Sequence, residues 1–263
     1  MPLWLAIVLL GIIEGITEFL PVSSTGHLLL AEQWLKLSSQ PSELFNVLIQ
    51  DGAVLAVLLA FAGRLRQMLK DWRKQATQDY FHKLTAAFAL TVAGGVVLKK
   101  LGLELPDTAA PVAWATLIGG VVILVVEYRL RGKSGAAGIS WTMALLAGAA
   151  QLLAAAFPGT SRSGASIIMA LVLGAGRPAA TEFSFLLGVP TLLAAGGYAI
   201  LSTLRHPAEP HEPWSFILLG MAVATLTAFV AVKWLLRFVQ THTFLVFGWY
   251  RIGLGGLILL FAR

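Results

Sequence analysis

The sequence predicts an all-α polytopic membrane protein. Six transmembrane helices and two re-entrant helix–loop–helix pairs form inverted-topology repeats within one integral membrane domain. Three observations carry this. Of the 263 residues, 57% are hydrophobic and only 12% charged, with a mean hydropathy of +0.80; a soluble domain carries roughly 45–50% apolar and about 25% charged residues. Ten apolar segments can be read between polar breaks. Two of those breaks, each with a proline and several hydroxyls, are followed by apolar runs too short to cross a bilayer.

So little charge cannot cover a water-exposed surface of this size, which excludes disorder, a nucleic-acid-binding domain and an ordinary cytosolic enzyme. The net charge of +6 reads as topology signal on cytoplasmic loops, so no nucleic-acid partner is expected. Cysteine is absent, which removes disulfides, thiol nucleophiles and thiolate metal sites.

The first segment (2–20) has no basic n-region and is interrupted by Glu14 and Glu18, unlike a signal peptide. The second (24–36) is short. The third (43–62), fourth (81–100) and fifth (111–130) meet the requirement of about 20 residues for a crossing, range about 17–25. The sixth (140–157) and short seventh (161–175) resemble the first two. The eighth (179–203), ninth (213–237) and tenth (243–262) can cross again. Segments one–two and six–seven are therefore hairpins whose polar tips dip into the membrane. Irregular backbone is tolerated there only when buried in protein or lining a wet cavity.

Basic loops over 64–74, 129–133 and 233–242 read as cytoplasmic, and 71–80 as a water-exposed connector. Threading six crossings puts all three loops on one side and the N-terminus outside. The first hairpin then enters from outside and the second from inside. The chain also repeats itself: Gly11–Gly26 lies over Gly148–Ser163 at an offset of 137, with Glu14 over Gln151, Pro21 over Pro158 and Ser24 over Ser161. Leu44–Ile49 lies over Glu182–Leu187 at an offset of 138. Repeat one spans about 1–131 and repeat two about 140–263. Three crossings between the copies invert the second.

Glu14 and Glu18 are four apart, so their carboxylates share a helix face. Facing lipid they would cost several kcal/mol. They are interior polar residues bonded to a neighbouring helix, an acid/base pair, or hard oxygen ligands for Mg²⁺ or Ca²⁺. Next comes Pro21-Val22-Ser23-Ser24-Thr25-Gly26-His27, with three hydroxyls and an imidazole at a helix start that favours anions. One hydroxyl would serve as an N-cap; three with a histidine suggest a site. The second tip, Thr160-Ser161-Arg162-Ser163-Gly164, supplies the opposite charge. Arg162 needs an anionic partner at depth: Glu14 or Glu18 in a plain ion pair, or a phosphate gripped by the guanidinium fork. Together these groups match phosphoryl transfer, with Ser23, Thr25, Thr160, Ser161, Ser163 and Gly164 around the phosphate. Asp51 is a candidate third carboxylate. Arg251 reads as structural or as a headgroup contact. His82, His206, His211 and His242 read as surface residues, and most tryptophans as interfacial.

Glu14-Gly15-Ile16-Thr17-Glu18-Phe19-Leu20-Pro21-Val22-Ser23-Ser24-Thr25-Gly26-His27-Leu28 and Pro158-Gly159-Thr160-Ser161-Arg162-Ser163-Gly164-Ala165 resemble the two signatures of the undecaprenyl-diphosphate phosphatase family of bacterial inner membranes, also called the bacitracin-resistance family. The resemblance covers essentially the whole chain, including Phe45-Asn46-Val47-Leu48-Ile49-Gln50 and Phe183-Ser184-Phe185-Leu186-Leu187. It implies hydrolysis of the terminal phosphate of undecaprenyl diphosphate, which recycles the lipid carrier for peptidoglycan precursors. It implies Glu14 and Glu18 as the acidic motif tied to Mg²⁺ or Ca²⁺, Ser24 as nucleophile, His27 as catalytic histidine and Arg162 as phosphate ligand. It adds Gln50 to the substrate-binding residues and opens the site to the periplasm. Asp51 departs from the apolar residue expected there. His27 or metal-activated water stays open as nucleophile, and a homodimer is a possible assembly. A lipid carrier or flippase is the main rival, because inverted repeats with broken helices also build transporters. A non-catalytic protein that sequesters the lipid diphosphate is the third reading.

Overall fold

A computed structural model of the chain describes residues 2–35, 41–103, 109–206 and 211–261. In chain order the helices are α1 (Leu3–Thr17), α2 (Ser24–Leu35), α3 (Glu43–Ala60), α4 (Ala62–Lys70), α5 (Gln75–Lys100), α6 (Ala109–Arg129), α7 (Trp141–Ala156), α8 (Arg162–Val172), α9 (Arg177–Arg205), α10 (Trp214–Phe238) and α11 (Leu245–Phe261). Among the described residues the only β pairing is an isolated bridge between Ala136 and Ala175.

Helix lengths sort the elements. α3, α5, α6, α9 and α10 are long and apolar enough to cross a membrane. α11 has 17 described residues, the short end of the spanning range of about 17–25. α2 has 12 residues and α8 has 11. At a rise of about 1.5 Å per residue each reaches only about 17–18 Å, far less than a hydrocarbon core of about 30 Å. All eight tryptophans lie outward, 44% to 66% exposed, as do Leu226, Val230 and Leu260. Water would penalise such a surface; lipid does not.

Two connections differ from the sequence reading. The basic stretch after α3 is not a loop: α4 is helical, its basic face outward and Met68 buried. Its Arg, Leu, Gln, Met and Lys are all good helix formers, and charge lowers hydropathy without lowering that propensity. The connector to α5 is also shorter than 71–80, because α5 already begins at Gln75.

Helix pairing shows an internal correspondence. α1 packs on α10 and α7 on α5; α1 meets α2 and α7 meets α8; α3 meets α9 and α6 meets α11. Exchanging α1, α2, α3, α5 and α6 with α7, α8, α9, α10 and α11 maps these pairs onto one another. The close approaches are symmetric too. A Cβ on Gly11 would lie 2.8 Å from the Gly220 carbonyl of α10, and one on Gly148 would lie 2.5 Å from the Ala87 carbonyl of α5. Glycine at these crossings lets backbones approach where lipid offers no hydrophobic drive for helix association.

Candidate active site

The loops after α1 and α7 meet, and their backbone explains how. Among the described residues only Ser23 (φ 74°) and Ser161 (φ 69°) are non-glycine residues in the left-handed region. Each follows the same plan. Ser23 Oγ accepts from the Gly26 N–H at 3.3 Å, and Ser161 Oγ accepts from the Gly164 N–H at 3.2 Å. Both serines therefore cap the helix that follows. The structural equivalent of Ser161 is thus Ser23, not Ser24, and the tips align at an offset of 138. The second tip has one extra residue after its proline; Gly159, at φ 96°, absorbs it.

Between the tips sits Glu18, 7% exposed. Its Oε2 accepts from Ser24 Oγ at 2.7 Å, and its Oε1 accepts from Arg162 Nη2 at 3.1 Å. The Arg162 guanidinium carbon lies 5.4 Å from the centroid of the Phe19 ring. Gly188 on α9 leaves the space that Arg162 fills, since a Cβ there would overlap Nη1. Arg162 Nε is buried with no hydrogen-bond partner, a donor in reserve for an anion. Ser163 closes the tip contact by donating to the Leu20 carbonyl at 3.1 Å.

Glu14 lies one turn behind Glu18 and is fully buried. Both of its carboxylate oxygens lack a hydrogen-bond partner. A buried charge so left is costly, and a cation shared with Glu18 would satisfy it. Among the described residues no third His, Asp or Glu joins the pair. That donor set still suits Mg²⁺, which is commonly held by one or two carboxylates plus substrate phosphates. Gln151, the counterpart of Glu14 in the repeat, is also buried with its amide unpartnered.

His27 is held at both ring nitrogens. Nδ1 lies 2.7 Å from the Ser23 carbonyl, and Nε2 lies 2.6 Å from the Tyr250 hydroxyl. A carbonyl can only accept, so Nδ1 carries the proton, and Tyr250 donates to Nε2 of the neutral ring. The left-handed turn at Ser23 thus orients the histidine as well as capping α2.

The other expected residues divide. Ser23, Ser161, Ser163 and Gly164 are engaged in the tip bonds just described. Thr25 is exposed, and the half-buried Thr160 donates its N–H to the Phe157 carbonyl in the second tip. Gln50 is half-buried on α3. The adjacent Asp51 packs against Gly196 of α9, where a Cβ would overlap its carboxylate; it joins no cluster with Glu14 and Glu18. Glu182 pairs with Arg64 at 3.1 Å. His82, His206, His211 and His242 are exposed.

Two residues of α11 matter more than their sequence suggested. Tyr250 restrains His27. Arg251, 1% exposed, clamps both tips. Its Nη1 donates to the Pro21 carbonyl at 3.4 Å and its Nη2 to the Gly159 carbonyl at 3.0 Å. Nε and Nη2 also reach the Thr116 and Ala115 carbonyls of α6 at 3.1 and 3.3 Å. A basic residue inside an otherwise apolar helix was the available signal.

The family model for Bacitracin resistance protein BacA matches residues 7–257. The chain belongs to this family. It is 49% identical over 252 residues to a Rhizobium etli (strain CIAT 652) protein named undecaprenyl-diphosphatase, covering 95% of this chain and 94% of that one. A protein of the same name from Xanthomonas campestris pv. campestris (strain 8004) is 46% identical over 253 residues, covering 96% and 95%. The matched region takes in both tips and, on α11, Tyr250 and Arg251.

Proposed function

We propose that the chain is an undecaprenyl-diphosphatase. It hydrolyses undecaprenyl diphosphate to undecaprenyl phosphate and inorganic phosphate, returns the carrier to peptidoglycan synthesis, and so confers bacitracin resistance. One observation carries the reading: the Glu18 carboxylate takes the Ser24 hydroxyl on one oxygen and Arg162 on the other.

Arg162, through its free Nε–H, grips the terminal phosphate. Ser24 Oγ attacks the terminal phosphorus while its proton passes to Glu18. The bond to the bridging oxygen breaks and undecaprenyl phosphate leaves. Water then attacks the phosphoserine and gives a proton to His27 Nε2 once Tyr250 releases it. The P–Oγ bond breaks, Ser24 recovers its proton from Glu18, and inorganic phosphate departs with the proton held by His27, which returns the ring to its neutral state. Glu14 and Glu18 would hold a divalent cation, Mg²⁺ or Ca²⁺, which when bound neutralises charge on phosphate oxygens.

The same reading puts the protein in the bacterial inner membrane, with α11 as the sixth crossing. The two tips belong to re-entrant hairpins of inverted repeats, as the exchange of helix pairs supports. The basic residues of α4 and those following α6 support a site that opens to the periplasm. A homodimer is the proposed assembly, to be checked by cross-linking in membranes.

The test is phosphate release from undecaprenyl diphosphate by purified protein in detergent, with Mg²⁺, Ca²⁺ or chelator. Release that needs metal, and that falls about 10²–10⁴-fold in Ser24→Ala and Glu18→Gln, is the expected result. Activity surviving in Ser24→Ala but lost in Glu18→Gln would replace the serine with His27 or water. Bound lipid with no release under any metal would leave a carrier or a sequestering protein.

A further inference from the structure

Away from the tips, a groove of about 220 Å³ lies where α3, α4, α5 and α9 meet. Leu65 and Met68 of α4 line it, with Phe81, Leu84 and Phe88 of α5. From Phe81 to Phe88 it follows α5 for about 10 Å at the helical rise. Thr85, its one polar lining residue, is exposed, so the groove opens on the outer surface of the helices. Its α4 end is basic: residues 64–74 hold five cations and one carboxylate. Arg64 pairs with Glu182 and Lys74 with Asp71. Arg66, Lys70 and Arg73 are exposed and join no ion pair among the described residues. Trp72 is exposed as well, and its ring meets Phe81 edge-on at 5.1 Å. An indole beside three unpaired cations marks the headgroup level of a bilayer, and Phe81 joins that level to the groove.

We infer that this corner holds one anionic phospholipid, its phosphate among Arg66, Lys70 and Arg73 and part of one acyl chain in the groove. Charge decides the headgroup. Unpaired basic side chains near a membrane surface favour a lipid of net negative charge, whereas a zwitterion cancels part of that gain with its own ammonium. The long stems of Arg66 and Lys70 can lie along apolar surface while their charged ends reach the phosphate. Size decides how much of the chain is held. At about 30 Å³ per carbon-sized group, as for a water molecule, the groove takes on the order of seven carbons, and the rest of the chain stays in the bilayer. α4 buries only Met68, so the lipid supplies packing between α4 and α5 that the protein itself does not. None of these residues belongs to the candidate active site, and the assignment is independent of the reaction.

The experiment titrates purified protein in detergent with dioleoyl phosphatidylglycerol or dioleoyl phosphatidylethanolamine and counts retained lipids by native mass spectrometry. The two lipids share their acyl chains and differ in charge. Wild type should bind one phosphatidylglycerol at least tenfold more tightly than phosphatidylethanolamine, an advantage that shrinks as salt rises. Arg66→Gln combined with Lys70→Gln should bring the two lipids within threefold of each other, at about fivefold lost per cation; glutamine preserves the helix propensity of α4. Thr85→Trp fills the groove from its exposed edge. It should weaken both lipids about tenfold and keep the preference between them. Leu65→Trp fills the same groove from α4 and serves if Thr85→Trp fails to fold, as judged by circular dichroism. Equal binding of the two lipids by wild type, an unchanged preference in the double variant, or full binding with the groove filled would each overturn the assignment. So would a prenyl phosphate retained at this corner in place of the phosphoglyceride.

Discussion

Arg251 sets the spacing between the two tips, because one guanidinium serves four carbonyls on three chain segments. Lysine keeps the charge but offers three donors from one point and no planar fork. Arg251→Lys should therefore lose about 2 kcal/mol, the worth of a charged buried hydrogen bond, read as a lower melting temperature in detergent. Its kcat/KM should fall as well, although Glu18, Ser24 and Arg162 are intact. Gly188→Ala tests positioning from the other side. Its methyl group would push Arg162 off Glu18, so phosphate release should drop about tenfold or more, as small misplacements do, while the melting temperature holds. Glu14, Glu18, Ser24, His27 and Arg162 stood out in the sequence as candidates because charge and hydroxyls are rare in apolar runs, and folding brings Glu18, Ser24 and Arg162 into one cluster. The role of Arg251 was not legible. Its partners are backbone carbonyls, which every residue carries, and only folding selects those of Pro21 and Gly159.

At the scale of elements, the helix starts after each tip depend on a serine that is both strained and capping. For Ser161, alanine removes the cap and keeps the left-handed strain. Glycine removes the cap and relieves the strain. Ser161→Ala should thus cost about 1 kcal/mol or more, and Ser161→Gly only a few tenths, an order that thermal unfolding of the two variants can check. The sequence showed a repeat whose offset changed from 137 to 138; it could not show where, since a single inserted residue leaves no hydropathy trace. A left-handed glycine at 159 supplies the place. α4 was misread for a related reason: hydropathy reports what faces lipid, whereas helix formation follows propensity. The long apolar helices, for which both signals agree, were read correctly in type and order.

For the molecule as a whole, the end of α6 is stapled to two other helices. Glu127 has a fully buried side chain, pairs with Arg177 at the start of α9, and accepts the Phe244 N–H beside α11 at 2.8 Å. Removing the cation alone strands a buried carboxylate. Arg177→Met should cost about 3–5 kcal/mol, and the double variant with Glu127→Leu should recover much of it. Recovery of nothing in a double-mutant cycle would mean that the pair orients the helices beyond balancing charge. Such a staple is invisible to composition, because its three partners lie 50 to 117 residues apart.

The outward placement of all eight indoles has an optical consequence. Apart from Trp72, in the connector between α4 and α5, their emission samples the lipid boundary rather than the protein interior. In vesicles of brominated lipid most of the intrinsic fluorescence should be quenched while the protein is still native, by collision at the perimeter. Conversely, loss of tertiary structure should barely shift the emission maximum, since the indoles already sit outside the packed core. Circular dichroism or amide exchange, and not tryptophan emission, would then follow unfolding, whereas the same eight fluorophores would serve as a built-in reporter of lipid exchange around the helices.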